Sequence, residues 1–233
     1  MKLYIDEANI DLIKEVIEYY PIDGVTTNPS ILAKAEKDPI ETLKAIRRII
    51  GPDQLLFAQA VGKTYKEMID DAYMLVRLLG INTVVKIPST QTGFKAMRKL
   101  RDEGFPICGT VVYTPMQAYI AAKCGANFVA PYVNRIDNMG FDGVDVVKQI
   151  QNILVNNKMD CELLAASFKN SQQVLELAEY GIANATCSGD VIKAFANNPA
   201  IEAAVDDFIS DFKTKTNCTS MQEFKKTKDE SKK

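Results

Sequence analysis

The run Thr83-Val84-Val85-Lys86-Ile87-Pro88 sets a lysine inside a stretch of β-branched residues that reads as a buried strand. A charged ammonium there is costly unless a counter-charge pairs with it, or unless its pKa falls and it is held neutral. A neutral amine is a nucleophile. It suits imine formation, in which the amine attacks a ketone, water leaves, and the iminium draws electrons from a breaking carbon–carbon bond. The other reading of Lys86 is structural: a partner for a buried carboxylate, or a side chain that snorkels out at the strand end.

The chain has no histidine, which removes Ser-His-Asp and Cys-His catalysis and every histidine-based metal site together. Acid–base chemistry therefore falls to Lys, Asp, Glu or Tyr. The five cysteines, Cys108, Cys124, Cys161, Cys187 and Cys218, are odd in number and widely spaced, with no Cys-x-x-Cys pair, and read as free core thiols. Imine chemistry requires no metal or organic cofactor.

The elements that must position Lys86 alternate along the chain. Leu3 and Ile5 mark a first strand, and Ile10, Ile13, Ile17 and Tyr20 then recur at helical spacing until Pro21. A strand from Gly24 ends in a turn, because Asn28 before Pro29 is pushed out of helical geometry. Asp38 caps a helix with Pro39 at its first position and Glu41 at its third, Thr64 with Glu67 reads as a capping box, and Thr114 caps a helix with Pro115 at its first position. Leu55 to Gln59, the Lys86 strand, Ile107 to Val112, Phe128 to Tyr132, Leu163 to Ser167 and Ile182 to Thr186 bring the strands to eight, with helical patterns between them. Strands apolar on both faces alternating with helices predict a closed eight-stranded parallel β/α (TIM) barrel. An open doubly wound sheet is the competitor, but Asp6-Glu7-Ala8-Asn9 is unlike the glycine-rich turn that such a sheet carries after its first strand. Pro199 opens an additional C-terminal helix through Val205, Phe208 and Phe212, so residues 1–215 form a single domain. Residues 216–233 read as a charged, disordered tail.

In a barrel of this kind catalytic groups sit where the strands end. Asp6, Thr26 with Asn28, Gln59, Lys86, Thr110, Tyr132 and Ser167 close seven of the eight strands with polar side chains. Singly, Thr110 or Ser167 is a cap for the following helix; together, around one rim with a buried lysine, the set favours a site. Asp6 is either the general base or the pairing partner of Lys86. Tyr132 is an acid–base group or a packed tyrosine. Arg135 holds a phosphate by bidentate hydrogen bonds, or pairs with Asp137.

Net charge of -2 and a pI near 5.4 leave no basic surplus for a nucleic acid backbone. Asp6 and Glu7 interrupt any N-terminal signal core, and no apolar run approaches a membrane span, so a cytoplasmic protein with neither nucleic acid nor membrane as partner is expected.

Gly24-Val25-Thr26-Thr27-Asn28-Pro29-Ser30, Val84-Val85-Lys86-Ile87-Pro88, Ala130-Pro131-Tyr132-Val133-Asn134-Arg135 and Ala165-Ala166-Ser167-Phe168-Lys169 resemble the transaldolase family, most closely its small fructose-6-phosphate aldolase branch. The resemblance runs from residue 1 to about 215. It implies the barrel, class I aldol chemistry and a Schiff-base lysine at Lys86. It also implies that Asp6 and Asn28, beside Thr26, hold the dihydroxyacetone part of the donor, and that Gln59, Thr110 and Tyr132 surround a catalytic water. It further implies that Arg135, Ser167 and Lys169 form the phosphate end. Gln59 and Tyr132 stand where transaldolases usually carry Glu and Phe, which points to the aldolase. After the eighth strand the family usually has a Thr-x-Pro turn, and this chain reads Thr186-Cys187-Ser188-Gly189-Asp190.

The expected activity is reversible cleavage of a ketose phosphate such as fructose 6-phosphate to dihydroxyacetone and glyceraldehyde 3-phosphate, a step of carbohydrate metabolism. Transaldolase, transferring a dihydroxyacetone unit between sugar phosphates of the pentose phosphate pathway, is the alternative. A barrel that binds sugar phosphate without turning it over is the remote one. The resemblance also implies a homopentamer or homodecamer.

Overall fold

The computed structural model describes residues 1–230. Eight parallel strands close into a barrel in sequence order: β1 (Lys2–Asp6), β2 (Gly24–Thr26), β3 (Leu55–Gln59), β4 (Thr83–Pro88), β5 (Ile107–Val112), β6 (Phe128–Pro131), β7 (Glu162–Ala165) and β8 (Asn184–Cys187), with β8 pairing back onto β1. Around it run α1 (Ile10–Tyr19), α2 (Pro29–Lys34), α3 (Pro39–Ile50), α4 (Tyr65–Leu79), α5 (Gln91–Asp102), α6 (Pro115–Lys123), α7 (Val133–Asp137), α8 (Gly143–Asn156), α9 (Ser171–Tyr180) and α10 (Gly189–Lys193). This is the TIM barrel expected from the alternation, and the chain continues into the additional C-terminal helix α11 (Pro199–Thr216).

Local chemistry starts the helices where the sequence predicts. Asp38 accepts from the backbone of Ile40 and Glu41 ahead of Pro39, Thr64 and Glu67 form a reciprocal capping box, and Thr114 forms another with Gln117. Three short helices, α2, α7 and α10, have no counterpart in the sequence reading. Each follows the C-terminal end of a strand, and each is only five or six residues long, too short to show a helical period.

Two apolar layers hold the barrel. Strand residues facing the helices join the inward faces of those helices in one large buried cluster, to which Ile5, Val25, Val85, Val129 and Ala185 belong. The barrel interior is a second cluster built on Tyr4, Phe57, Val84, Cys108, Phe128, Ala130 and Leu164. Phe57 takes Tyr4 and Phe128 edge-to-face on either side, with ring centroids 5.3 and 5.2 Å away. Gly24 lets β2 approach β3, since a Cβ there would lie 2.3 Å from the Leu55 carbonyl oxygen. This apolar floor fills the N-terminal half of the barrel and leaves the polar strand ends above it.

The described residues divide into two compact units, residues 1–192 and those from 193 onward. The first is the barrel. In the second, the Phe212 ring of α11 packs edge-to-face on Phe224 of a further helix, α12 (Met221–Glu230), with Cys218 buried in the turn between them. Helix α12 therefore occupies most of the segment read from its charge as a disordered tail; residues 231–233 lie outside the described residues. Among the described residues no helix is long and apolar enough to cross a membrane.

Candidate active site

Lys86 points into the barrel two residues beyond Val84, on the same face of β4, and only 4% of it is exposed. Its Nζ donates to the Thr27 carbonyl oxygen at 2.9 Å, reaching past β3 to the end of β2. Among the described residues it forms no ion pair with Asp6; the two charges act on each other through space. Of the two structural readings of Lys86, neither a direct carboxylate partner nor an escape to solvent is found. Beside it in register lies Cys108, whose thiol burial pushes up to about 12 against the opposing field of Lys86. That thiol is protonated at neutral pH.

Asp6 ends β1 in register with Thr26 of β2. The Thr26 hydroxyl donates to Asp6 Oδ1 at 2.7 Å, and the same hydroxyl lies 2.7 Å from Thr186 Oγ1 of β8. Burial holds the Asp6 carboxyl above the usual carboxylate range, opposed by Lys86, by the Thr26 hydrogen bond and by Arg135. Next to Asp6 a cavity of about 530 Å³ opens, lined by Asn9, Ile31, Lys34, Lys37 and Ser188 among others.

Across the rim, Thr110 Oγ1 and Tyr132 Oη share a hydrogen bond of 2.8 Å, both residues being buried. Thr110 therefore does not cap its helix; α6 is capped by Thr114. Gln59 closes β3 in register with Lys86. Val111 takes a φ of 59°, rare for a β-branched residue, where the β5–β6 register shifts between Gly109 and Val112.

The Arg135 guanidinium stacks over the Tyr132 ring, 4.5 Å from its centroid. Asp137, the surface partner considered for it, instead accepts from the Gly143 N–H at 2.7 Å and from Gln173 Nε2 at 2.6 Å. Helix α7 starts directly on the end of β7, with the N–H groups of Val133 and Asn134 donating to the carbonyls of Ala166 and Ser167 at 2.9 and 3.0 Å. Arg135 and Ser167 are thereby tied to the same corner. Ser167 takes a left-handed φ of 62° and leaves the capping of α9 to Asn170. Asn28 uses Oδ1 to cap α2 at Ile31, 3.1 Å away. Lys169 is exposed, and the contact described for it runs from its backbone N–H to Gln173 Oε1.

Two participants were not picked out from the sequence. The Thr27 carbonyl that receives Lys86 is a backbone group and carries no side-chain signal. Thr186 completes the rim at the eighth strand, and its polar character at a strand end was the available sign.

A closed β/α barrel whose strand ends gather a buried lysine, a carboxylate, a phenol and an arginine over an apolar floor has the form of a barrel enzyme with its site at the C-terminal face. The family model described as Transaldolase/Fructose-6-phosphate aldolase matches residues 3–232, and the chain belongs to that family. It is 41% identical over 213 residues to a probable transaldolase of Thermodesulfovibrio yellowstonii, an alignment covering 91% of this chain and 98% of that protein. The family places the chain among enzymes of aldolase or transferase type with sugar phosphates as substrates.

Proposed function

We propose that the chain is a class I aldolase that reversibly cleaves a ketose phosphate, fructose 6-phosphate being the representative substrate, to dihydroxyacetone and glyceraldehyde 3-phosphate. The observation that carries this reading is Lys86, buried at the strand-end face and held by a carbonyl dipole, with no counter-ion in contact among the described residues. Its free amine attacks the ketone carbon, and water leaves to give the iminium. Asp6, a stronger base than an ordinary carboxylate because of its burial, takes the proton of the C4 hydroxyl. The C3–C4 bond breaks, its electron pair passes into the iminium, and glyceraldehyde 3-phosphate departs from an enamine. Tyr132, working through water beside Gln59 and Thr110, supplies the proton to C3. Hydrolysis then frees dihydroxyacetone and Lys86, and the proton on Asp6 returns to Tyr132 through solvent.

Thr26 and Asn28 fit the donor end of the substrate. Arg135 with Ser167 fits the phosphate, with Lys169 as an outlying cation. Exposed Ile201, Val205, Phe208 and Ile209 on α11 support a homopentamer or homodecamer, and the absence of a long apolar helix among the described residues is compatible with a cytoplasmic enzyme.

Transaldolase is the second reading, favoured by the name of the 41% identical relative. The phenol of Tyr132 and the amide of Gln59 support cleavage over transfer, because release of free dihydroxyacetone needs a proton donor for the enamine. A donor-only assay decides: an aldolase liberates glyceraldehyde 3-phosphate from fructose 6-phosphate with no acceptor aldehyde present, and a transaldolase stops after one turnover.

A further inference from the structure

The hydroxyl of Thr26 lies between two oxygens, 2.7 Å from Asp6 Oδ1 and 2.7 Å from Thr186 Oγ1. A hydroxyl has one hydrogen, and an ionised carboxylate can only accept. With Asp6 ionised, Thr26 must give its hydrogen to Asp6 and must receive one from Thr186. The three groups therefore form a directed relay, Thr186 to Thr26 to Asp6, that runs from β8 over to β2 and back to β1 between them. Thr26 and Thr186 are both buried, so solvent does not compete for either bond. Register explains how Thr186 arrives there. It pairs with Tyr4 of β1, two residues below Asp6 on the same inward face, while Thr26 pairs with Asp6 itself.

We propose that Thr186 is a positioning residue, whose hydroxyl fixes the rotamer of Thr26 and through it the orientation of the Asp6 carboxylate towards the substrate. The inference rests on the reading of Asp6 as the general base. Without the Thr186 hydrogen, the Thr26 hydroxyl has a buried lone pair unmet and is free to turn away from Asp6. The other groups acting on Asp6 are Lys86 on β4, Glu7 after β1, Arg135 on α7 and the Cys187 thiol on β8, and none of them replaces this donor.

The test compares Thr186→Val, which keeps the branched shape and removes the hydroxyl, with Thr186→Ser and Thr186→Ala. Rates are measured across pH for cleavage or transfer, whichever the unsubstituted enzyme performs. Thr186→Val and Thr186→Ala should lower kcat by about tenfold to a hundredfold, the loss typical of a misplaced catalytic group, with KM little changed. Both should also move the acid limb of the profile to higher pH, because the carboxylate has lost indirect hydrogen-bond support. Thr186→Ser should recover most of the rate and return the limb. In a Thr26→Val background, Thr186→Val should add no further loss, since its effect runs through Thr26.

Wild-type kcat and pH profile in Thr186→Val and Thr186→Ala would overturn the assignment, as would Thr186→Ser being as impaired as Thr186→Val. Failure of both the Val and Ala variants to fold would mark Thr186 as structural and overturn it too. These outcomes are separable from failure of the functional reading, in which the unsubstituted protein itself neither cleaves nor transfers.

Discussion

The amine of Lys86 donates to the carbonyl oxygen of Thr27 at 2.9 Å, a contact between the fourth strand and the residue that follows the second. Its partner is a dipole of fixed position, while the Asp6 carboxylate accepts from the Thr26 hydroxyl through Oδ1. A salt bridge would have to be broken before the amine could react. A single hydrogen bond to a carbonyl is given up at smaller cost.

The contact between Thr110 and Tyr132 yields a prediction about catalysis. Tyr132→Phe removes the phenol and its bond to Thr110 while the ring keeps its edge-to-face contact with Tyr113, so the fold should persist. Combined with Gln59→Glu, it should depress aldol cleavage by roughly a hundredfold to ten-thousandfold, the usual worth of a general acid, and raise the ratio of transfer to cleavage. Steady-state assays with and without an acceptor aldehyde measure that ratio; an unchanged ratio would reduce Tyr132 to packing.

Asp6 links activity to stability through its raised pKa. A carboxyl raised in the folded state binds its proton more tightly there than when unfolded. Its stabilising contribution is therefore complete below the unfolded pKa and is lost as pH rises through the folded one. Asp6→Asn should accordingly lose activity yet melt at a higher temperature than wild type at pH 7, with the difference shrinking as pH falls below the ordinary carboxylate range. Thermal melts between pH 3 and 7 would show it. A wild type that outlasts the variant at pH 7 contradicts the prediction.

Phe57 carries the barrel interior, buried between the rings of Tyr4 and Phe128. Phe57→Ala should destabilise the protein by about 3–5 kcal/mol, the range for emptying a large buried site, as read from urea unfolding. A cost below about 1 kcal/mol would mean that the interior collapses around the gap.

What the sequence disclosed follows from how each feature is encoded. The strands were legible because both of their faces are buried, which writes them as near-continuous apolar runs, and the caps at Asp38, Thr64 and Thr114 were legible because capping needs particular side chains at fixed offsets. Lys86 stood out as a charge in such a run. The Thr27 carbonyl did not, since every residue has one. Arg135 carried an ambiguity that only geometry resolves: Asp137 is two residues away in sequence but is taken by Gly143 and Gln173, which leaves the guanidinium on the Tyr132 ring. In the charged C-terminal segment, the Phe212–Phe224 contact joins α11 to a helix that local composition had not suggested.

Helix α11 yields an assembly prediction. Its Ile201, Val205, Phe208 and Ile209 are exposed in the single chain and need a surface to cover them. Light scattering at micromolar concentration should report a ring of five or ten copies, and truncation after Asn198 should dissociate it; a monomeric full-length chain would contradict this.

The most direct measurement of the central claim is borohydride reduction in the presence of dihydroxyacetone, followed by intact-mass and peptide analysis. Imine chemistry at Lys86 predicts one reduced ligand per chain, located on Lys86, absent from Lys86→Ala and retained in Tyr132→Phe. A ligand found on another lysine, or undiminished in Lys86→Ala, would contradict the account.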